Sequence, residues 1–377
     1  MTETATVKSQ YADTGVDQDA TGLSALIAQL RPSFDNHPRA RVAVDLGHYA
    51  SVLEIPGLPV AIAIATDGVG TKILVAEMAG RHDTVGIDCV AMNANDLICI
   101  GADPISMVDY LAVETLDTQQ LEAIGKGLAE GARRAEISIP GGELAQLKEM
   151  IKGVEPGSGY DLVGSCVGIL ESGKAIDGSR VAPGDRVVGV ASTGLHSNGF
   201  SLARRVVFGD LGLSVDDEMP GCGRSVADEL LEPTAMYVKE AKAMMTGPAD
   251  VKAFVHVTGG GFLNLTRVAA NGIGFHLDAL PAPPPVFATI ASGGNVSAAE
   301  MHEVFNMGVG FVVVVPEADV ETVREAARAE GKESWDIGRI VADEEERVVI
   351  ERGEGPHLES RDGHFVETDT LAGPFVR

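Results

Sequence analysis

The sequence predicts a mixed α/β (α+β) fold in two domains, and three observations carry that prediction. The chain has 377 residues, where single domains run to roughly 100–200. Short β-branched runs alternate with segments of helical apolar spacing, the pattern of sheets layered with helices. Between Glu171 and Asp185 the composition turns to Gly, Ser, Asp and Lys and includes Pro183-Gly184, a turn signal. These place an N-terminal domain at residues 1–172, a C-terminal domain at 173–350 and an acidic, peripheral tail at 351–377.

The elements follow in order. Val60–Ala65 is a β-branched and alanine run that ends on Thr66-Asp67-Gly68. Val90 to Ile100 reads as a helix with Met92 and Asp96 on one face and Asn95 beside them. Asp117 starts a helix with Gln120 as its capping-box partner, and Leu121, Ile124, Leu128 and Ala132 form its apolar stripe. Leu162–Leu170 is a buried strand. In the second domain, Arg186–Ala191 is a strand and Asn198 a cap for the helix starting near Phe200. Pro281 to Pro285 is a stiff connector. Ser297 and Glu300 form a second capping box, Phe311–Val315 a strand and Val320–Ala329 a helix.

Composition narrows the function. With 29 Lys+Arg against 55 Asp+Glu the net charge is −26, which offers no field to attract nucleic acid or an anionic membrane. No apolar run approaches the ~18 residues of a membrane span, and the polar N-terminus is unlike a signal peptide. The four cysteines lack C-x-x-C spacing and read as reduced thiols. A soluble, cytoplasmic protein is expected. Glycine stands out, at 45 residues, about 12% against a usual ~7%.

The chemistry lies in a few short words. Thr66-Asp67-Gly68-Val69-Gly70-Thr71-Lys72 leaves a strand, turns through two glycines and ends in a hydroxyl and an ammonium. It has the parts to meet phosphate with backbone N–H groups, Thr71 and Lys72, and to leave Asp67 for a metal. It lacks Walker A spacing, and an ordinary strand-to-helix turn has the same look. Asp88, Asn95 and Asp96 interrupt an apolar segment, where buried carboxylates are costly unless paired or metal-bound. Asp67 with Asp96 suits Mg²⁺, which takes one or two carboxylates plus phosphates and water; local backbone bonding is the alternative for Asn95 and Asp96. Glu143 follows a Gly-Gly turn. His196, Ser197 and Asn198 precede a helix start, where unpaired N–H groups bind anions. Thr258-Gly259-Gly260-Gly261 is a second candidate phosphate loop or a flexible turn.

Taken in order, these words resemble the phosphoribosylformylglycinamidine cyclo-ligase family, the aminoimidazole ribonucleotide synthetases of purine biosynthesis. The series comprises Tyr11–Asp17, Thr66–Lys72, Arg81–Asp88, Asn95–Leu97, Gly101–Pro104, Gly141–Glu143, His196–Gly199, His256–Phe262, Pro284–Phe287, Gly294–Val296 and Phe305–Gly310, spanning roughly Tyr11 to Val349. The resemblance implies a two-domain protomer whose N-terminal sheets pair across a homodimer. It implies ATP and Mg²⁺ as cofactors and ring closure of phosphoribosylformylglycinamidine through a phosphorylated amide. It further implies that Asp67, Asp96 and Glu143 hold metal, and that Asp17, Gly68, Gly70, Thr71, Lys72 and Asn95 meet the nucleotide. Ser197, Asn198 and Thr258 to Gly261 would meet the substrate, and His196, Lys72 and Asp67 would be catalytic.

The chain departs from the family after Glu143, where Leu144-Ala145-Gln146-Leu147-Lys148 replaces the usual Thr-Ala-Glu-Met-Pro. Thiamine-monophosphate kinase, selenophosphate synthetase and a hydrogenase maturation factor share the architecture. A kinase of that kind, or a catalytically lapsed nucleotide-binding protein, is the competing expectation. Selenophosphate synthetase would want a reactive N-terminal cysteine, and none precedes Cys89.

Overall fold

The computed structural model describes residues 9–16, 21–44, 46–268, 272–353 and 355–376. Two sheets divide the chain. The first joins β1 (Arg41–Val44), β2 (Ser51–Glu54), β3 (Val60–Gly68), β4 (Asp103–Val113), β5 (Gly142–Gln146) and β6 (Tyr160–Glu171) in the order β1-β2-β3-β6-β4-β5. The second joins β7 (Arg186–Ala191), β8 (Ala253–His256), β9 (Ile273–Leu277), β10 (Val309–Val315), β11 (Ser334–Ala342), β12 (Val348–Ile350), β13 (His357–Arg361) and β14 (His364–Thr368), ordered β14-β13-β12-β9-β11-β7-β10-β8.

Before the first sheet come α1 (Gln10–Asp13) and α2 (Thr21–Leu30); within it lie α3 (Lys72–Ala79), α4 (Val85–Cys99) and α5 (Thr118–Ala135). The second domain contributes α6 (Phe200–Arg204), α7 (Val226–Leu230), α8 (Val238–Thr246), α9 (Pro285–Gly293), α10 (Ala298–Val304) and α11 (Val320–Ala329). Among the described residues no helix is long and apolar enough to cross a membrane.

One face of the first sheet is packed and the other is open. Alternation along β6 buries Leu162, Gly164, Cys166 and Gly168 against α4 and turns Val163, Ser165, Val167 and Ile169 outward. Gly164 permits the close approach, since a Cβ there would lie 2.6 Å from Asn93 Nδ2. Helix α5, capped by Asp117 through the Gln119 and Gln120 amides, covers α4. The open face leaves Val60, Ile64, Ile105, Val108, Tyr110 and Ile169 exposed.

Several expectations need correction. Asn198 does not cap α6: the N-cap is Gly199, whose φ of 73° takes the left-handed conformation glycine tolerates. Ser297 caps α10 through the Glu300 amide, but the Glu300 carboxylate accepts from Ser9 Oγ and the Tyr11 amide instead of closing the box. The tail is not peripheral. β13 and β14 form an antiparallel hairpin on the edge of the second sheet, and Phe365 and Phe375 are buried. The Phe365 amide donates to Glu303 on α10, fixing the hairpin to the body.

Candidate active site

Helix α4 is the seam between the domains. Every one of its residues is buried except Asp96. Positions 88, 92, 95 and 96 fall on one helical face, and each meets the second domain. Asp88 Oδ1 accepts from the Thr234 amide and hydroxyl, both at 2.7 Å. Met92 Sδ lies 3.9 Å from Asn198 Nδ2. Asn95 accepts from the Tyr237 amide and donates to the Ala235 carbonyl, each at 2.9 Å. Asp96 Oδ1 is 2.9 Å from His256 Nδ1 at the end of β8. The polar interruptions read from sequence are therefore the rungs of an interdomain ladder, and only the last reaches solvent.

Asp67, at the end of β3, faces this exposed rung. The Gly68 amide donates to its Oδ1 at 2.7 Å, and Asn93 Nδ2 donates to its main-chain carbonyl at 3.0 Å. Burial and the Asp96 charge push its carboxyl up to about 6, with Gly68, His256 and Arg267 opposing. Two carboxylates that repel each other while partly buried are a donor set that a divalent cation would relieve. Asp67, Gly164, Asp109 and Gly142 lie in one row across β3, β6, β4 and β5. Asp109 thus shares the packed face, and burial raises its carboxyl. From the second domain, the Arg267 guanidinium stacks 4.8 Å from the Tyr49 ring centre, and the Tyr49 hydroxyl donates to the His256 carbonyl at 2.9 Å.

His196 stands behind this cleft. It has a left-handed φ of 64° and is 1% exposed. Burial, then His256 and Lys72, hold its imidazole well below the usual range, so it is neutral. Nε2 accepts from the Thr193 amide at 3.3 Å, which assigns the proton to Nδ1, an atom with no hydrogen-bond partner. Gly310 makes room for it: a Cβ there would lie 2.2 Å from Tyr237 Oη and 2.3 Å from His196 Cε1. Gly310→Ala is expected to destabilise the protein by about 1–3 kcal/mol through overpacking and to lower kcat. Thermal denaturation and steady-state kinetics on the variant check both.

The family model described as AIR synthase related protein, N-terminal domain, matches residues 47–170, and the corresponding C-terminal model matches 182–351. The chain belongs to the AIR synthase related family. Among the family's curated members, a phosphoribosylformylglycinamidine cyclo-ligase of Methanothermobacter thermautotrophicus is 45% identical over 95% of this chain and 99% of its own length. A cyclo-ligase of the same name from Methanobrevibacter smithii is 42% identical over 92% of this chain and 98% of its own. Solved structures share the fold: tt0281 from Thermus thermophilus (TM-score 0.59, 23% identity, 89% of this chain and 98% of that one) and thiamine monophosphate kinase from Aquifex aeolicus (0.59, 17%, 94% and 100%).

Within this family member the expected site residues separate into two groups. Asp67 and Asp96 interact through their charges, Gly70 and Thr71 are exposed just beyond β3, and the Thr71 hydroxyl lies 3.2 Å from Ser201 Oγ. The Thr258–Gly261 loop meets the Asn198 segment, since a Cβ on Gly259 would lie 3.4 Å from Asn198 Oδ1. Within that loop, the Thr258 amide and hydroxyl donate to Asn264 Oδ1. Ser197 is buried, with its hydroxyl 3.4 Å from that of Thr234. Asp17 lies outside the described residues.

Three expectations do not fit. Lys72 is 0% exposed, and its ammonium is spent on Asp88 and on the His196 and Glu232 carbonyls, so it presents no charge to a phosphate. Asn95 commits its side-chain oxygen and nitrogen to the second domain. Glu143 sits on edge strand β5 paired with Tyr110, one residue out of phase with the Asp67 row, so its side chain points to the open face. Sequence reasoning missed Asp109, His256 and Arg267. The first had a signal, an acid in the inward phase of β4 between Met107 and Leu111; His256 opened the word His256–Phe262 but drew no role of its own, and Arg267 acts across the domain seam and had no signal.

Proposed function

We propose that this chain is an ATP-dependent cyclo-ligase that closes phosphoribosylformylglycinamidine to 5-aminoimidazole ribonucleotide. The observation that carries the reading is the charge coupling of Asp67 to Asp96, which the second domain's His256 holds at 2.9 Å, in a chain with full-length relatives of that name. An amide oxygen is a poor leaving group. In the proposed reaction it attacks the γ-phosphorus of ATP and ADP departs. The neighbouring nitrogen then attacks the activated carbon, forming the ring C–N bond and expelling phosphate. Such chemistry asks a protein mainly for positioning and charge neutralisation.

Mg²⁺, when bound, would neutralise phosphate charge, and Asp67 and Asp96 are the residues that would hold it. His256 fixes the rotamer of Asp96, and Asn93 fixes the backbone of Asp67. Gly70 and Thr71 would meet nucleotide phosphates, and the Thr258–Gly261 loop the ribose phosphate. Neutral His196 would serve by orienting through its Nδ1–H, without adding charge. Four cysteines without disulfides suit a reducing, cytoplasmic setting. The open apolar face of the first sheet supports a homodimer formed by pairing of those sheets. The test is incubation with phosphoribosylformylglycinamidine, ATP and Mg²⁺. Equal amounts of ADP and aminoimidazole product are expected; ATP binding with no product would favour a lapsed protein, and thiamine-monophosphate phosphorylation a kinase.

A further inference from the structure

Lys72 and Asp88 form a fully buried ion pair, both side chains 0% exposed, with Nζ 3.0 and 2.9 Å from the two carboxylate oxygens. Both belong to the first domain, yet the remaining bonds of the pair all go to the second. Lysine has three ammonium protons, and besides Asp88 they reach the His196 carbonyl at 3.0 Å and the Glu232 carbonyl at 2.7 Å. Asp88 in turn takes the Thr234 amide and hydroxyl. The Phe200 ring, 5.5 Å from Nζ, closes the cage. Two segments of the second domain, around His196 and around Glu232–Thr234, are thus held by one charge pair of the first.

Geometry ties this pair to the cleft at both ends. Lys72 opens α3 immediately after the Gly70 turn, five residues beyond Asp67. Asp88 lies on the same α4 face as Asp96, two helical turns away. The carbonyl that Lys72 grips belongs to the residue with left-handed backbone and buried imidazole. A residue in that conformation keeps it only where its surroundings fix it, and removing one partner of a buried pair leaves an uncompensated charge.

We propose that Lys72 and Asp88 are positioning residues which lock the His196 segment of the second domain against the Asp67–Asp96 carboxylates of the first, so that the cleft is assembled before substrates enter. The role assigned to the cleft rests on the cyclo-ligase reading; the lock itself does not. A lysine contacting phosphate would contribute to nucleotide binding, whereas a lysine that sets the backbone leaves nucleotide affinity largely intact and costs turnover.

The experiment is Lys72→Met in the full chain, read by kinetics and by hydrogen exchange. The lock predicts a fall in kcat of ~30-fold or more, since small misplacements of reacting groups are that costly, with the KM for ATP within about threefold. It also predicts faster exchange over 193–199 and 232–235 while the amides of β10 keep their protection. The double variant Lys72→Met/Asp88→Asn is expected to be no worse than the poorer single variant, as for partners in one interaction. If Lys72→Met does not fold, Thr234→Val removes one hydroxyl from Asp88, and a several-fold loss of kcat at unchanged KM for ATP is expected. A rise in the KM for ATP of tenfold or more at near-normal kcat would return Lys72 to the phosphates and overturn the lock. Unchanged kcat and exchange in both variants would overturn it too. Absence of product from the wild-type chain would instead fault the cyclo-ligase reading, and the exchange experiment would still decide the lock.

Discussion

Asp67→Asn is expected to abolish turnover and, in metal-free buffer at pH 7.5, to raise the melting temperature. Both effects have one origin. Burial and Asp96 hold the Asp67 carboxyl up at about 6, against 3.8 ordinarily. Between those values the folded protein binds a proton that the unfolded chain has released, so stability falls as pH rises through that window and stays lower above it. A carboxyl raised from 3.8 to about 6 corresponds to roughly 3 kcal/mol, and partial solvent access reduces the expected gain to about 1–2 kcal/mol. Asparagine keeps the acceptor for the Gly68 amide and removes the repulsion. It also removes the charge a divalent cation needs. Scanning calorimetry with EDTA from pH 4.5 to 7.5 should show wild type and variant converging at the acid end. A variant that is less stable at pH 7.5, or that turns over at near-normal rate, would contradict the assignment.

The second large effect concerns assembly. Val108→Arg is expected to convert the proposed homodimer to a monomer in light scattering. Val108 is 47% exposed and shares a row with Thr66 and Ser165, whose hydroxyls lie 3.1 Å apart across it. Val163, Val167 and Ile169 on β6, with Ile64 and Tyr110 on its neighbours, extend the apolar surface to either side. A guanidinium at its centre would have to be desolvated without a partner, at a cost of several kcal/mol. Unchanged mass for the variant, or a monomeric wild type, would remove the open sheet face as the contact.

How much of this was legible in the sequence varied with how local the physics is. Arg186–Ala191 and Val320–Ala329 have the predicted bounds because β-branching and helical spacing are written within each segment. Asp67 falls at the end of β3, as the β-branched and alanine run before it implied. Lys72 and Asn95 were misread for the opposite reason. Their neighbours in sequence suggest a phosphate loop and a metal helix, while the second-domain partners that take up their hydrogen bonds lie more than a hundred residues away. Glu143 turned on strand phase: a Gly-Gly pair reads as a turn, but Gly142 already belongs to β5, and alternation sends the next side chain to the other face. The tail looked peripheral because it is polar, yet Leu358 and Phe365 sit at the inward positions of a hairpin.

The burial of α4 on all sides has one more consequence. A helix that serves as core for both halves of a molecule leaves neither half viable alone. Cut between Glu171 and Arg186, the N-terminal fragment would expose a stripe with Asp88, Met92 and Asn95 unmatched, and the C-terminal fragment would lose the staves that hold Thr234 and Tyr237. Genes split at that point should yield insoluble fragments separately and a working protein only when the halves are made together. The two lobes would then resist swinging apart during the catalytic cycle, which leaves entry and exit of ligands to the loops at the cleft mouth.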